Sequence, residues 1–278
     1  MNAAARAAEI ARNVVARHAD DVDRDARFPE ESITALASAG LFGLCVAESL
    51  GGAGQGPRAF AAVVEELAQA CGSTAMVYVM HVTAARAIAT SSTLADRDSI
   101  LRDVAAGKHL TTLAFSEAGS RSQFWAPVSR LEESNGHYLT SASKSWVTSA
   151  THADSYVSTA QKPAAASPLE STIYFVRTST KGVRVSSPFN GLGLRGNDSA
   201  PVTLEEIRVE SGDLISPLGE GPKVILEVVL PWFAVGTAAM ANGLSRAALQ
   251  QTAKHLTDRK STRLNSSHIQ KSRMPSSA

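Results

Sequence analysis

The sequence has little of the chemistry that builds metal sites or disulfide frameworks. Its 278 residues include only two cysteines, Cys45 and Cys71, and both lie in apolar surroundings. The histidines are scattered along the chain without the spacing of metal ligands. We therefore expect no disulfide and no metal site, and the scarcity of cysteine fits a reducing compartment.

The chain also lacks an excess of charge of one sign, with 27 Lys and Arg against 26 Asp and Glu and a formal net charge of +1. It also has no basic stripe of the kind that binds nucleic acids or anionic membranes. No uninterrupted apolar run reaches about 18 residues, and residues 1–20 mix alanine with charged residues instead of forming a signal-peptide core. These absences predict a soluble cytoplasmic protein with no nucleic-acid and no membrane partner.

The pattern of apolar residues divides the chain into three parts. Residues 1–109 have helical periodicity, with Pro29 and Pro57 at expected helix starts. Residues 110–217 consist of short β-branched or aromatic runs separated by turn signals, which is typical of a β-sandwich or β-barrel. From Val224 to about Thr257 the pattern is helical again, with Pro231 as an expected kink or break. The expected strands are Leu110–Phe115, Val128–Glu132, His137–Thr140, Tyr156–Thr159, Thr172–Val176, Val183–Ser186 and Val202–Leu204.

Familiar catalytic motifs are missing. The glycine-rich stretch Gly51–Gly56 lacks the Lys-Ser/Thr ending of a phosphate-binding P-loop and follows no predicted strand, so a surface turn is the better interpretation. No serine lies in a G-x-S-x-G turn, and nucleophilic catalysis has no support in the sequence.

Two segments are unusual for a plain β domain. Ala114–Ser122 places small hydroxyls and glycine directly after a strand, where backbone N–H groups could hold an anion such as a pyrophosphate. In Lys144–Ser149, Trp146 is followed two residues later by Thr148, which alternation places on the same strand face. Together they could bind a planar heterocycle; the alternative is a core tryptophan beside a polar turn.

Four groups of residues then occur in one order along most of the chain. The first comprises Phe28-Pro29, Leu36-Ala37, Gly40-Leu41-Phe42-Gly43, Glu48 and Gly51-Gly52. The second is Ser116-Glu117-Ala118 followed by Ser122, and the third is Lys144, Trp146, Val147 and Thr148. The fourth is Gly191–Ser199, followed by Glu205, Glu206, Val209 and Gly219-Glu220-Gly221. From Asn2 to about Thr257, these groups resemble the acyl-CoA dehydrogenase family of flavoproteins.

The resemblance implies an α+β multidomain fold with an N-terminal helical domain (1–109), a middle β-barrel (110–217) and the start of a C-terminal helical bundle (218–257). It also implies that FAD binds at the middle domain, beside an acyl-CoA thioester. The cofactor-binding residues it implies are Phe115, Ser116, Ser122, Trp146 and Thr148.

Four of these residues have an implied role. Trp146 would flank the flavin ring, Thr148 would hydrogen-bond near its reactive edge, and Ser116 would contact its pyrimidine end. Ser122 would meet the pyrophosphate. Ala118 and Arg121 depart from the family pattern Thr-Glu-Pro-x-x-Gly-Ser, and if they shift the turn, Ser120 would replace Ser122.

The implied reaction is α,β-desaturation, in which a carboxylate removes the α-proton and a hydride leaves the β-carbon for the flavin. One of the two family positions for this base falls at Phe233, which is not a carboxylate. Glu227 lies nearly two turns earlier and is interpreted as an ordinary helix-face charge. The catalytic base is therefore unknown, and we expect it beyond the present helix.

Residues 258–278 have a different character. Asp258–His268 matches, codon by codon, the translation of a widely used sequencing adaptor, and Ser272–Ala278 matches its downstream part. We therefore expect a non-native tail, with a natural serine-rich tail as the alternative. Without it the count becomes 22 basic against 25 acidic residues.

On this interpretation about a third of the family chain is absent, and we expect the fragment to bind FAD poorly and to be inactive. The parent protein would act on an acyl-CoA, pass electrons to an electron-transfer flavoprotein or a similar acceptor, and form a homo-oligomer. Two alternatives remain open: a flavin-dependent monooxygenase or oxidase of the same fold, and a non-catalytic relative.

Overall fold

The computed structural model describes residues 2–121 and 123–264. The chain begins with helices, continues with strands and ends with a long helix, in the order that the sequence predicts. The helices of the first part are α1 (Ala3–Ile10), α2 (Ala16–Arg24), α3 (Glu30–Ser38), α4 (Pro57–Ala68), α5 (Gly72–Ala89) and α6 (Arg97–Ala105). A π-helical turn, Ala11–Val15, joins α1 to α2, and a 3₁₀ turn, Glu48–Leu50, precedes α4.

Helix α5 forms the centre of the helical part. Most of its side chains are buried on all sides of the helix, because α4, α6, β1 and the last helix pack around it. Local chemistry sets several helix ends: Asn2 accepts a hydrogen bond from the backbone of Ala5, and Pro57 occupies the first turn of α4. The helical part therefore presents α5 as a rigid wall to the strands.

The strands of the middle part are β1 (Thr111–Ala114), β2 (Glu132–Ser134), β3 (His137–Val147), β4 (Ser155–Gln161), β5 (Ser171–Arg177), β6 (Val183–Val185) and β7 (Ala200–Val209). In the described residues they form a sheet of order β1-β4-β5 and a sheet of order β2-β3-β7-β6. Two isolated bridges, Glu117 with Lys144 and Arg130 with Gln161, connect the sheets. The strands thus wrap around one shared apolar core as a flattened barrel.

One expected strand is misplaced. We expected a strand at Val128–Glu132, whereas β2 covers Glu132–Ser134. The backbone N–H groups of Val128 and Ser129 donate instead to the Glu117 carboxylate, at 2.7 Å each. A side chain has replaced a strand as the partner of these two N–H groups, and the rest of the segment pairs with β4 only at Gln161, which propensity alone could not show.

The chain then returns to helix through α7 (Gly221–Val224), a π-helical turn (Ile225–Val229) and α8 (Leu230–Leu264). Pro231 is the second residue of α8, just after the π turn, so the irregular turn lies at the expected helix break. Helix α8 lies close to α4, since a Cβ atom on Gly243 would collide with the carbonyl oxygen of Glu65. The helix continues past the expected end near Thr257, and residues 265–278 of the adaptor-like tail lie outside the described residues.

The helical stretch Gly221–Thr257 is longer and more apolar than the sequence analysis indicated. In the described part of the chain it is the one helix that is long and apolar enough to cross a membrane, with a mean hydropathy of 1.9 in its most apolar window. Length and composition are weak evidence, since core helices of soluble proteins meet the same criterion. Four leucines of this stretch are exposed: Leu226, Leu244, Leu249 and Leu256.

Candidate active site

A cavity of about 200 Å³ lies where the strands meet α5 and the beginning of α8. Its wall is mainly apolar and aromatic, with two serine hydroxyls among the lining residues. It is lined by Met80, Leu113, Phe115, Ser116, Phe124, Ser145, Trp146, Val229 and Phe233. The cavity therefore combines residues from all three parts of the chain, including three of the predicted cofactor-binding residues.

Trp146 reaches this cavity because β3 is irregular at its end. The register between β3 and β7 shifts between Lys144 and Val147, and the backbone of Trp146 has a φ of +58°. As a result the indole leaves the core and is 62% exposed. It stacks on Phe189, with ring centroids 3.9 Å apart and planes 23° apart. An exposed indole supported by a second ring is a ready surface for a planar ligand.

The end of β3 corrects the expected placement of Thr148. Alternation would put Trp146 and Thr148 on one strand face, but β3 ends at Val147 and Thr148 lies in the turn that follows, where alternation does not apply. Thr148 is buried and is not among the residues that line the cavity. Its proposed hydrogen bond to a cofactor remains a prediction.

Phe115 and Ser116 follow the end of β1. Phe115 is buried in the cluster that joins the sheet to α5 and α6, and Ser116 is partly exposed at the cavity wall. The carbonyl oxygen of Ser116 accepts a hydrogen bond from the N–H of Ser145 at 2.9 Å. The two segments singled out in the sequence are therefore hydrogen-bonded to each other beside the cavity.

The turn after Ser116 is only partly available for an anion. The N–H of Ala118 donates to Ser143, and the N–H of Ser120 donates to Glu117. The Ser120 hydroxyl also donates to the Glu117 carbonyl oxygen, at 3.0 Å. Ser122 lies outside the described residues, so its predicted contact with a pyrophosphate remains a prediction.

A buried ion pair joins Glu117 to Lys144, and the sequence did not predict it. The Nζ atom of Lys144 lies 2.6 Å from Oε1 of Glu117, and both side chains are almost completely buried. Lys144 also donates to the Thr159 carbonyl oxygen at 2.6 Å, and the Ser129 hydroxyl donates to Glu117 at 2.5 Å. With the N–H groups of Val128 and Ser129, the pair is saturated with hydrogen bonds.

Burial and pairing act against each other on these two groups. Burial by itself would raise the pKa of the Glu117 carboxyl, but the Lys144 ammonium and the hydrogen bonds from Lys144 and Ser129 lower it below its ordinary value. Burial lowers the pKa of the Lys144 ammonium, and the charge of Glu117 limits that effect. One signal in the sequence could have revealed the pair: alternation along β3 puts Lys144 on the inward face with Thr140 and Ala142, where a lysine needs a carboxylate.

The helical wall of the cavity is apolar. Met80 comes from α5, Val229 from the π turn and Phe233 from α8. Phe233 occupies one of the two positions at which the family resemblance implies a catalytic base, and it lines the cavity. Glu227 is exposed and does not line it. Among the described residues that line the cavity there is no carboxylate.

These residues fit the isoalloxazine ring of FAD. A flavin needs a flat apolar slot with hydrogen-bonding groups at its edge, and the lining of the cavity includes an exposed indole, aromatic neighbours and two serines, Ser116 and Ser145. The fit rests on these two serines and on the exposed indole, whose planar surface can stack on the ring.

Comparison with known proteins gives a consistent result. The sequence profile described as "Acyl-CoA dehydrogenase, N-terminal domain" matches residues 2–108, and that described as "Acyl-CoA dehydrogenase, middle domain" matches residues 112–207. The probable acyl-CoA dehydrogenase YngJ of Bacillus subtilis is 28% identical over 91% of this chain and 67% of its own length. The 3-(aryl)acrylate reductase of Clostridium sporogenes is 26% identical over 87% of this chain and 64% of its own length.

Solved structures show the same fold. Butyryl-CoA dehydrogenase from Megasphaera elsdenii superposes with a TM-score of 0.85 and 20% identity, over 91% of this chain and 67% of that protein. The predicted order of helical domain, β domain and beginning of a helical bundle is confirmed. The chain thus spans about two thirds of the length of the proteins it matches.

We predict that Lys144→Met destabilises the protein by about 3–5 kcal/mol near neutral pH, because it leaves a buried carboxylate without its cation. In the native protein the lowered pKa of Glu117 adds stability above the ordinary carboxyl pKa of 4.5, and this stability is lost as the pH falls through the folded-state pKa. In the variant, burial dominates and raises that pKa, so protonation relieves the penalty.

The measurement is urea denaturation of both proteins near pH 7 and near pH 5. The difference in unfolding free energy should shrink at the lower pH; a difference that stays constant or grows contradicts the account. Lys162→Met is the matched control, since it breaks a half-exposed pair with Glu170 and should cost less than about 1 kcal/mol.

Proposed function

The chain belongs to the acyl-CoA dehydrogenase family, whose members are FAD-dependent oxidoreductases acting on CH–CH groups, and we propose that it carries two domains and the first helix of such an enzyme. The parent protein would oxidise the Cα–Cβ bond of an acyl-CoA thioester. Residues 1–109, 110–217 and 218–257 are proposed as the N-terminal, middle and incomplete C-terminal domains.

One observation carries the proposal: Phe115, Ser116 and Trp146, which were singled out together in the sequence, line one cavity. The indole of Trp146 is exposed and held in place by Phe189, so it can cover a flavin ring without rearrangement. The Ser116 and Ser145 hydroxyls supply hydrogen bonds at the rim. Thr148 and Ser122 complete the proposed set, and Ser120 is the weaker candidate because its hydroxyl already donates to Glu117.

FAD, when bound, accepts the hydride that leaves the β-carbon of the thioester. The chain's own residues hold the ring and exclude water from the reacting atoms. Met80, Val229 and Phe233 close the helical side of the cavity with apolar surface, which strengthens hydrogen bonds and charges inside it.

The base that removes the α-proton is proposed to come from the C-terminal third. Phe233 leaves an apolar side chain at one of the two family positions, and Glu227 is exposed. The exposed leucines of the apolar stretch Gly221–Thr257 support the same assignment, because the helices of a complete bundle would cover them. We therefore propose that the fragment itself is inactive and retains FAD poorly.

A second candidate has one observation in its favour. A flavin-dependent monooxygenase or oxidase of this fold needs no base for a thioester α-proton, and the described cavity contains no carboxylate. The dehydrogenase remains the first proposal because both domain profiles and the YngJ relative are of that kind.

The partners of the parent protein follow from the proposed reaction. An acyl-CoA would supply the hydride, and an electron-transfer flavoprotein or a similar acceptor would take up the electrons. We also propose that the parent protein is a cytoplasmic homo-oligomer with no nucleic-acid partner and no membrane partner.

The function is tested by comparing this chain with the parent protein extended past Thr257 by its own coding sequence. We expect the extended protein to retain FAD and to reduce an electron-accepting dye with an acyl-CoA, whereas the 278-residue chain does neither. A 278-residue chain that binds FAD stoichiometrically and reduces the dye contradicts the proposed inactivity of the fragment. An extended, flavin-loaded protein that uses oxygen and leaves acyl-CoA unchanged favours the second candidate.

We predict that Trp146→Ala in the extended protein weakens FAD binding about fivefold to tenfold, because an aromatic contact of this kind contributes about 1 kcal/mol. Flavin content after purification and a fluorescence titration of the apoprotein measure the effect. Trp125→Ala is the control, since Trp125 is partly exposed but does not line the cavity. Unchanged flavin content in Trp146→Ala removes the role assigned to the indole.

A further inference from the structure

The two segments that carry the cavity-lining serines and Trp146 are joined at one point. Glu117 and Lys144 form an antiparallel bridge between the end of the β1 segment and β3. On either side of it, the N–H of Ala118 donates to Ser143 at 3.0 Å, and the N–H of Ser145 donates to Ser116 at 2.9 Å. Ser116 and Ser145, which line the cavity, are therefore the immediate chain neighbours of the bridged residues.

The side chains at this bridge cross-link more than two segments. Lys144 binds Glu117 and the Thr159 carbonyl oxygen, which ties β3 to β4. Glu117 accepts from the N–H groups of Val128 and Ser129, which fixes the segment that follows Phe124 and Trp125. Four stretches of chain around one side of the cavity thus meet at a single ion pair.

Stability alone does not explain this arrangement. Moving two charges out of water costs several kcal/mol per ion, and well-packed neutral residues of similar volume are often as stable as a buried ion pair. What an ion pair with saturated hydrogen bonds adds is a fixed geometry, because each group has only one arrangement that satisfies all its partners.

Trp146 needs such a fixed support. Its left-handed backbone conformation costs of order 1–3 kcal/mol for a residue other than glycine, and it persists only where the surroundings hold it. Lys144 anchors the chain two residues before Trp146, and Phe189 stacks on its ring. The ion pair therefore holds the backbone two residues before Trp146, and Phe189 supports one face of the exposed indole.

We propose that Glu117 and Lys144 are positioning residues, whose ion pair holds Trp146 and Ser116 at the cavity in the arrangement that a flavin ring requires. They act through the backbone and need no contact with the cofactor. The inference rests on the proposed function for its meaning, but the placement of Trp146 can be tested without any cofactor.

The experiment uses the 278-residue chain with Trp125→Phe and Trp232→Phe, so that Trp146 is the one remaining tryptophan. Into this background we place Lys144→Met alone and the neutral pair Glu117→Gln with Lys144→Met. The amide oxygen of the new glutamine side chain still accepts from the N–H groups of Val128 and Ser129, so the neutral pair keeps these two hydrogen bonds and removes the charged cross-link together with the hydrogen bond from Lys144 to Thr159.

We expect the neutral pair to recover most of the melting temperature that Lys144→Met loses. The near-ultraviolet circular dichroism of the Trp146–Phe189 stack should stay weakened, and acrylamide quenching of Trp146 should stay raised. The matched control is Lys162→Met with Glu170→Gln, which removes a half-exposed pair and should leave both Trp146 signals unchanged. A neutral pair with native Trp146 signals overturns the inference, and so does a neutral pair that fails to fold, since the ion pair would then have a general structural role.

Binding of FAD separates this inference from the proposed function. In the extended protein, the neutral pair should raise the Kd for FAD at least about fivefold, as expected for coupled neighbouring groups. If the extended wild-type protein binds no FAD, the proposed function fails, while the Trp146 signals still decide whether the ion pair positions the indole. If FAD binds equally to the wild type and to the neutral pair, the positioning role is wrong and the proposed function stands.

Discussion

The ion pair between Glu117 and Lys144 is the interaction on which the candidate site depends. It closes the flattened barrel at one of the two bridges between its sheets, and it does so directly beside the cavity. A charged pair can be buried there only because backbone and hydroxyl groups satisfy its remaining hydrogen bonds. The desolvation of these two charges is unfavourable, and it occurs where the segments around the cavity are held in one arrangement.

The rest of the cavity follows from packing around that point. Helix α5 supplies a wall because it is buried on most sides, and the π turn before α8 places Val229 and Phe233 opposite the strands. Helix α8 lies close to α4 at Gly243. Beyond that contact its leucines Leu244, Leu249 and Leu256 are exposed. The described residues therefore form the barrel side of the cavity and an apolar helical side that contains no carboxylate.

Much of the fold could be predicted from the sequence, because periodicity, proline and glycine report local structure directly. The site was predictable in part: Phe115, Ser116 and Trp146 do share one cavity. Thr148 was expected on the same strand face as Trp146, because alternation does not show that the strand ends at Val147. The partnership of Glu117 and Lys144 was missed because it joins residues that are adjacent only after the sheets close.

The most direct test is a crystal structure of the parent protein, extended past Thr257 and loaded with FAD. The account predicts the isoalloxazine ring in the cavity between Trp146 and the Phe115–Ser116 backbone, with Glu117 still paired to Lys144. A flavin bound elsewhere, or an indole turned away from the ring while the ion pair is intact, would contradict it.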